Sequence, residues 1–138
     1  ARVDMWLIWI DSPEEGNMES GVKKQDIISI TDCGLVTSGN YRKFYYGADG
    51  RKYSHTIDPA TGRPVEHSLL SATVIAPDSA TADAFATWFM VIGNEAAREL
   101  LASEAALDGI GAYLVYEEEG KMCSWHTSGL ILESEQQR

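Results

Sequence analysis

The feature that most constrains the fold is one helix-forming region that interrupts a series of short β-prone runs. Its apolar spacing predicts a first helix over about 80–92, ended by Gly93, and a second helix over about 95–106. Each start offers a capping residue: Asp78 or Ser79 for the first helix, and Asn94 for the second. The sequence therefore predicts a pair of helices within a β-rich chain.

β-Prone runs separated by turn-forming residues make up most of the remaining chain. The predicted strands are 5–11, 27–30, 42–46, 52–57, 71–76, 110–116, 121–126 and a short one at 130–132. Asp49-Gly50 predicts a tight hairpin because this pair supplies the positive φ that the turn needs, and Glu119-Gly120 marks a second hairpin. The order of elements predicts an α+β fold, with the helix pair packed on one face of a mainly antiparallel sheet.

The charge and cysteine content of the chain bound its function. Its 138 residues carry a formal net charge of −10, and such a surface repels polyphosphate backbones, which argues against nucleic-acid binding. A phosphate-bearing ligand would need a cation between itself and the protein. No apolar run approaches the roughly 20 residues that span a bilayer. Cys33 and Cys123 form either one disulfide or two buried thiols, and two cysteines set no compartment.

Asp83 and Thr87 form the first candidate site. They stand four residues apart, so a helix places them one turn apart on the same face. A carboxylate and a hydroxyl are hard oxygen ligands of the type that Mg²⁺ takes, and this ion commonly keeps its other positions for water and substrate phosphates. Two ordinary roles compete: an aspartate in a first helical turn complements the helix dipole, and a threonine often bonds a carbonyl one turn back.

His55 is the second candidate, at the end of a predicted strand and before the turn-rich segment 58–64. A histidine that enters a rigid turn is well placed to act as a general base. The competing interpretation is that Asp58-Pro59 and Thr61-Gly62 only build the turn and His55 is a sheet residue.

The third candidate is Thr37-Ser38-Gly39-Asn40, interpreted as a small polar turn after an apolar strand. Its hydroxyl and N–H groups could approach a phosphate or a flavin edge, although Ser-Gly turns are common in all proteins. His67, His126 and the acidic run 117–119 have no partner at metal-ligand spacing and are interpreted as surface residues. The four tryptophans, at positions 6, 9, 88 and 125, are interpreted as core or groove wall.

Taken together, these segments resemble the later part of the ApbE family, the FAD:protein FMN transferases. The matching motifs stand in family order at 37–41, 49–55, 57–65, 73–76 and 82–87. A His-x-Ile-Asp-Pro-x-Thr-Gly stretch followed at this separation by Ala-Asp-Ala-x-Ala-Thr is specific to the family. The resemblance covers about residues 3–132 and implies an ApbE-like, T-fold-like domain, of which 1–138 is expected to be the C-terminal portion without the family's early flavin-binding and glycine-rich segments.

The resemblance also assigns roles to individual residues. Asp83 and Thr87 match the family's magnesium ligands, and His55 matches the histidine implicated in catalysis. A flavin-binding group is implied for the Thr-Ser-Gly turn, the motif histidine and the motif aspartate, the last expected to be mainly architectural: Thr37, Ser38, Gly39, His55 and Asp58.

The activity implied by the resemblance is Mg²⁺-dependent transfer of FMN from FAD to a threonine hydroxyl of a target flavoprotein, with release of AMP. Implied targets include subunits of sodium-pumping NADH:quinone oxidoreductases. The implied location is periplasmic, outside the cytoplasmic membrane, through a lipid anchor beyond this chain. Two alternatives stay open: a Mg²⁺-dependent pyrophosphatase that splits FAD into FMN and AMP, and a non-catalytic flavin-binding fragment.

Overall fold

The computed structural model describes residues 5–14, 19, 23–41, 44–103 and 109–133. Antiparallel strands predominate, and every strand pair in these ranges is antiparallel, as the sequence predicts. In chain order the elements are β1 (Trp6–Asp11), β2 (Lys24–Ile30), β3 (Gly34–Gly39), β4 (Phe44–Tyr46), β5 (Lys52–Ser54), β6 (Ile57–Asp58), β7 (Arg63–Pro64), β8 (Leu69–Ala76), α1 (Ser79–Ala102), β9 (Gly111–Glu118), β10 (Lys121–His126) and β11 (Ile131–Leu132).

Two main sheets and two small hairpins organise these strands. The central sheet has the order β10-β9-β8-β3, and a second sheet has the order β1-β2-β11. The hairpins β4-β5 and β6-β7 each form a separate two-stranded sheet. At the predicted turns, Gly50 has a φ of 74°, and Glu119 and Gly120 both have positive φ. Since β4 pairs with β5 and β9 pairs with β10 across these turns, both predicted hairpins are confirmed.

The central sheet lies between α1 and the second sheet, because its two faces contribute to different hydrophobic cores. Along β9, Ala112, Leu114 and Tyr116 belong to the core that α1 covers with Ala82, Ala86 and Phe89. The alternate residues Tyr113 and Val115 pack with Ile10, Ile28 and Leu132 of the second sheet. This alternation follows from the two-residue period of a strand. It gives each face of the central sheet its own hydrophobic core.

The start of α1 is fixed by a side-chain cap and by a close approach to β3. Asp78 is the N-cap: its Oδ1 accepts from Thr81 N at 2.8 Å, and its Oδ2 accepts from Thr81 Oγ1 at 2.8 Å. These hydrogen bonds, the backbone one first, lower the pKa of Asp78. A Cβ added to Gly34 would lie 2.4 Å from Ser79 N, so only glycine lets the helix start rest on β3.

The predicted helix pair corresponds to one helical element that is broken at the predicted position. The described residues contain one helical element, α1, in which Gly93 alone leaves helical geometry, with φ 84° and ψ 175°. The break therefore falls at the predicted glycine, and the helical element continues beyond it to Ala102, with Ser103 as C-cap. The predicted end at 106 lies outside the described residues. Asn94 Oδ1 is buried and accepts no hydrogen bond from the described residues, so this side chain does not cap a second helix.

Three of the four tryptophans differ from the core position that was one of their two predicted roles, and the cysteines decide between the two predicted alternatives. Trp6, Trp9 and Trp88 are exposed and not core, while Trp125 is half-buried under the Arg98 guanidinium, 5.5 Å from its ring centre. Both cysteines are half-buried free thiols, which is the second of the two predicted alternatives. Among the described residues, no helix combines the length and apolar character that crossing a membrane requires.

Candidate functional site

A cavity of about 330 Å³ brings together residues from three separate parts of the chain. It is lined by the end of β3, the β5–β6 connection and the middle of α1: Thr37, Ser38, Gly39, Tyr41, His55, Thr56, Thr87 and Met90. Five of the seven residues to which the family resemblance assigns a role, namely Thr37, Ser38, Gly39, His55 and Thr87, thus share one cavity. Its volume lies at the lower end of the range of about 300–1,000 Å³ that is usual for ligand pockets.

A second and larger cavity, of about 780 Å³, adjoins the first, since Tyr41 lines both. It lies between the β4-β5 hairpin and the start of β8, and its wall carries two basic residues, Arg51 and Lys52. The Arg51 Nη2 atom lies 3.7 Å from Glu66 Oε1, and both side chains are exposed. The smaller cavity holds five of the residues to which the family resemblance assigns a role and the larger one holds none of them, so we place the candidate site in the smaller cavity and treat the larger one as its extension.

The segment 37–39 belongs to strand β3, and the predicted polar turn is wrong at these positions. Thr37, Ser38 and Gly39 pair with residues 73, 72 and 71 of β8, so the ladder continues to the end of the motif. Only Asn40 lies beyond the strand. A β-paired Thr-Ser-Gly segment forms a fixed cavity wall, because the backbone conformation is held by the neighbouring strand.

The side chains of this segment alternate between the two faces of the central sheet. Thr37 Oγ1 lies 2.8 Å from Thr73 Oγ1, in a cross-strand pair on the same face as Leu35. Ser38 shares the opposite face with Val36, which packs against the core beneath α1. The Ser38 side chain therefore lies on the face that α1 covers. The Thr37 side chain lies on the opposite face, so Thr37 contributes mainly its backbone to the cavity wall.

Asp83 and Thr87 are both exposed and lie one turn apart on α1. The two ordinary roles that compete for them are not realised. Asp83 is the fifth residue of α1 and lies beyond its first turn, which holds no acidic residue. The Thr87 hydroxyl makes no hydrogen bond to a carbonyl one turn back, whereas Ser103 Oγ does so with Leu100 O at 2.8 Å.

Asp83 and Thr87 on α1 could supply only two of the oxygen ligands that a Mg²⁺ ion needs. One carboxylate and one hydroxyl suit an ion that keeps several waters and takes further ligands from substrate phosphates. Thr87 lines the small cavity, while Asp83 lies outside its lining. In the described ranges, no group of three or more His, Cys, Asp or Glu side chains could hold a metal. A Mg²⁺ ion held by Asp83 and Thr87 would therefore need further ligands from the substrate or from other polypeptide.

Asp58 stands apart from the other candidate residues. It lines a different cavity, of about 420 Å³, together with residues of the β6-β7 turn and of α1. Its Oδ1 accepts from Ala60 N at 2.9 Å, and its carbonyl oxygen accepts from Gly62 N at 2.8 Å. These bonds close the turn that follows His55, which is the architectural role expected for this aspartate.

His67 was interpreted from sequence as a surface residue, and this interpretation is wrong. Its half-buried ring lies against the break in α1: Nε2 is 2.7 Å from Met90 O, and Leu69 N donates to Nδ1 at 3.2 Å. A Cβ on Gly93 would lie 3.0 Å from the ring. No sequence spacing links residues 67 and 93, although an unexplained glycine inside a helical pattern is a general signal of close packing.

The amino-acid sequence of the chain is similar to those of known proteins over most of its length. A family model described as the ApbE family matches residues 2–114. Over 120 residues the chain is 42% identical to the FAD:protein FMN transferase of Escherichia coli strain K12, covering 87% of this chain and 32% of that protein. The chain therefore spans about a third of the length of the curated relatives it matches.

Two solved structures are similar over most of the chain. The flavinyl transferase ApbE of Pseudomonas stutzeri, in its apo form, superposes with a TM-score of 0.64 at 36% identity, over 89% of this chain and 35% of that one. The flavin transferase ApbE of Vibrio cholerae superposes with a TM-score of 0.68 at 31% identity, over 89% and 36% respectively. Both sequence and architecture thus point to the same group of proteins.

Proposed function

The chain belongs to the ApbE family, and from this premise we propose that it supplies the catalytic histidine and the metal-binding helix face for transfer of FMN from FAD to a protein. The acceptor in this proposal is a threonine hydroxyl of a target flavoprotein, and the leaving group is AMP. Because the relatives are about three times as long as this chain, the complete FAD site includes polypeptide that corresponds to the rest of those relatives.

The observation that carries the proposal is the convergence of His55, Ser38 and Thr87 on one cavity. These residues lie on a strand end, a connection and a helix that are far apart in sequence. Their convergence supports a reaction that needs a proton acceptor beside a group that binds phosphate oxygen.

His55 has the role of general base in this reaction. It accepts the proton from the threonine hydroxyl as the new bond forms between threonine Oγ and the phosphorus of the FMN portion. The pyrophosphate bond to the AMP portion breaks in the same displacement, and the bond electrons leave on the AMP phosphate. Proximity of the base to the acceptor is the main contribution of the protein, because well-oriented groups lower the barrier by several kcal/mol, up to about 7–11.

Asp83 and Thr87 would hold Mg²⁺ through a carboxylate oxygen and a hydroxyl oxygen. When bound, the ion would neutralise the pyrophosphate and stabilise charge on the departing AMP. The acidic character of the chain, −10 overall, makes such a cation necessary for binding a dianionic ligand. The proposed location, outside the cytoplasmic membrane and lipid-anchored, and the proposed partner, a subunit of a sodium-pumping NADH:quinone oxidoreductase, rest on the family resemblance.

A chimera tests the proposal directly. The matching 120-residue portion of the Escherichia coli relative is replaced by this chain, and the product is incubated with FAD, Mg²⁺ and a threonine-bearing acceptor protein. Covalent flavin fluorescence on the acceptor, together with one AMP per flavin transferred, is the expected result. Absence of acceptor labelling in a folded chimera that still binds FAD would overturn the proposal.

The same assay distinguishes transfer from hydrolysis. Omission of the acceptor protein should abolish FAD consumption if transfer is the reaction. Continued release of free FMN and AMP without acceptor would instead indicate the pyrophosphatase. Mutation of the acceptor threonine to valine provides the matched control, because it removes the hydroxyl and preserves side-chain shape.

A further inference from the structure

One side-chain oxygen joins the end of β3 to both neighbours of His55. Asn40 follows β3 directly, and its backbone N donates to Leu70 O at 3.0 Å, which holds it against the central sheet. Its Oδ1 accepts from Ser54 Oγ at 2.8 Å and from Thr56 Oγ1 at 2.8 Å. An amide oxygen has two lone pairs, so these two hydroxyls occupy its full accepting capacity.

The hydroxyls that meet at Asn40 come from the residues immediately before and after His55. Ser54 Oγ also accepts from Thr56 N at 3.0 Å, which closes a local ring of hydrogen bonds around the histidine backbone. On its other side, Thr56 O accepts from Val65 N at 3.0 Å, which joins the same backbone to the segment after β7. His55 is thus held from two directions.

The need for such a connection follows from the sheet topology. His55 lies between β5 and β6, and each of these strands belongs to a two-stranded hairpin that is not part of the central sheet in the described chain. Ser38 and Thr87, in contrast, belong to the central sheet and to the helix packed on it. The position of His55 relative to them therefore depends on side-chain contacts and not on a strand ladder.

We propose that Asn40 is a positioning residue, whose amide oxygen sets the location of His55 in the cavity through the hydroxyls of Ser54 and Thr56. The proposal deepens the proposed function, because it names the residue that orients the general base. Asn40 itself touches no reacting atom in this proposal. Its effect on the rate arises from orientation, for which a displacement of about 1 Å can cost on the order of 100-fold.

Three variants separate the accepting oxygen from the bulk of the side chain. Asn40→Leu keeps a similar shape and removes the acceptor, whereas Asn40→Asp keeps an oxygen for both hydroxyls. The double variant Ser54→Ala/Thr56→Val leaves Asn40 in place and removes both donors. Thr127→Val is the matched control, since it removes another side-chain hydrogen bond, from Ala112 N to Thr127 Oγ1 at 3.0 Å, in the β9–β10 region.

The first measurement needs no activity. In ¹H–¹⁵N spectra of this chain, the imidazole and backbone resonances of His55 should shift similarly in Asn40→Leu and in the double variant, and should stay near wild type in Asn40→Asp and in Thr127→Val. Unchanged His55 resonances in both Asn40→Leu and the double variant would overturn the proposal. If Asn40→Leu does not fold, the double variant alone decides the outcome.

The second measurement uses the chimera described above. The kcat for FMN transfer should fall about 10- to 100-fold in Asn40→Leu and in the double variant, while the KM for FAD changes less than about threefold and Asn40→Asp recovers most of the rate. A lower melting temperature with unchanged kcat would show a purely structural role and overturn the proposal. If the wild-type chimera transfers no FMN, the proposed function fails, and the resonances of His55 still decide the role of Asn40.

Discussion

The imidazole of His67 lies against Met90, with Nε2 2.7 Å from the Met90 carbonyl oxygen, three residues before the break in α1 at Gly93. The same ring fills the space beside Gly93, and Nδ1 accepts from Leu69 N. The His67 side chain, which comes from the connection before β8, therefore contacts a helix carbonyl, bonds the first residue of β8 and packs beside Gly93. Met90 also lines the candidate site, so this contact connects the helix break to the cavity.

Gly93→Ala should destabilise the chain by about 1–3 kcal/mol, because φ 84° with ψ 175° is a region that only glycine adopts readily. Contact of the added Cβ with the His67 ring, at 3.0 Å, adds to this cost. Urea denaturation followed by circular dichroism measures the loss. Gly129→Ala is the matched control, since it has φ 92° and open space around the added carbon.

A double-mutant cycle separates the two contributions at Gly93. His67→Ala removes the ring, so the combined variant should lose less stability than the sum of the two single variants. Strict additivity would show that only the backbone conformation matters.

Asp83→Asn should reduce Mg²⁺-dependent transfer in the chimera by at least about 100-fold, because even residues that support metal ligands indirectly cost about 10- to 100-fold when mutated. Thr87→Val should have a comparable effect, and Thr87→Ser should retain much of the activity since it keeps the hydroxyl. The rate as a function of Mg²⁺ concentration gives the measurement. Glu99→Gln, another exposed carboxylate on α1, is the control, and equal losses in both carboxylate variants would contradict the assignment.

His55→Gln should lower kcat for FMN transfer by about 10²- to 10⁴-fold, the usual contribution of a general base. The KM for FAD should change much less, because the role proposed for His55 is to act on the acceptor hydroxyl. Steady-state kinetics with varied FAD and acceptor concentrations provide both constants. A large rise in KM with unchanged kcat would assign His55 to flavin binding and not to proton transfer.

The helix cap should make folding stability depend on pH at acid values. The pKa of Asp78 is lowered in the folded chain, chiefly by the hydrogen bond from Thr81 N, so at acid pH the unfolded chain binds more protons at this residue. The stabilisation is therefore present above the ordinary aspartate pKa of about 3.9 and is lost as the pH falls through the lower folded value.

Asp78→Asn isolates this effect, because an asparagine still caps a helix but does not titrate. The stability difference between wild type and Asp78→Asn, measured by denaturation between about pH 5 and pH 2, should shift against wild type as the pH falls. A difference that stays constant over this range would contradict a titrating cap.

Local rules predict much of this fold because they act between residues close in sequence. The two hairpins follow from glycines that supply positive φ, and the start of α1 follows from an aspartate that can accept the first free N–H groups. Gly93 marks the break in α1 for the same reason. The family motifs add Asp83, Thr87 and His55 as candidates, since their chemistry and spacing are readable without a structure.

Contacts between distant segments decided the rest. The strand character of Thr37 to Gly39 comes from pairing with β8, and the exposure of Trp6 and Trp9 depends on which faces other elements cover. The packing of His67 against Met90 and Gly93 joins residues that no sequence spacing links. Sequence determines which residues can accept protons, bind cations or form turns, because these properties are intrinsic to side chains and neighbours. Only the tertiary structure gathers His55, Ser38 and Thr87 in one cavity, because their proximity depends on packing between elements that no local pattern encodes.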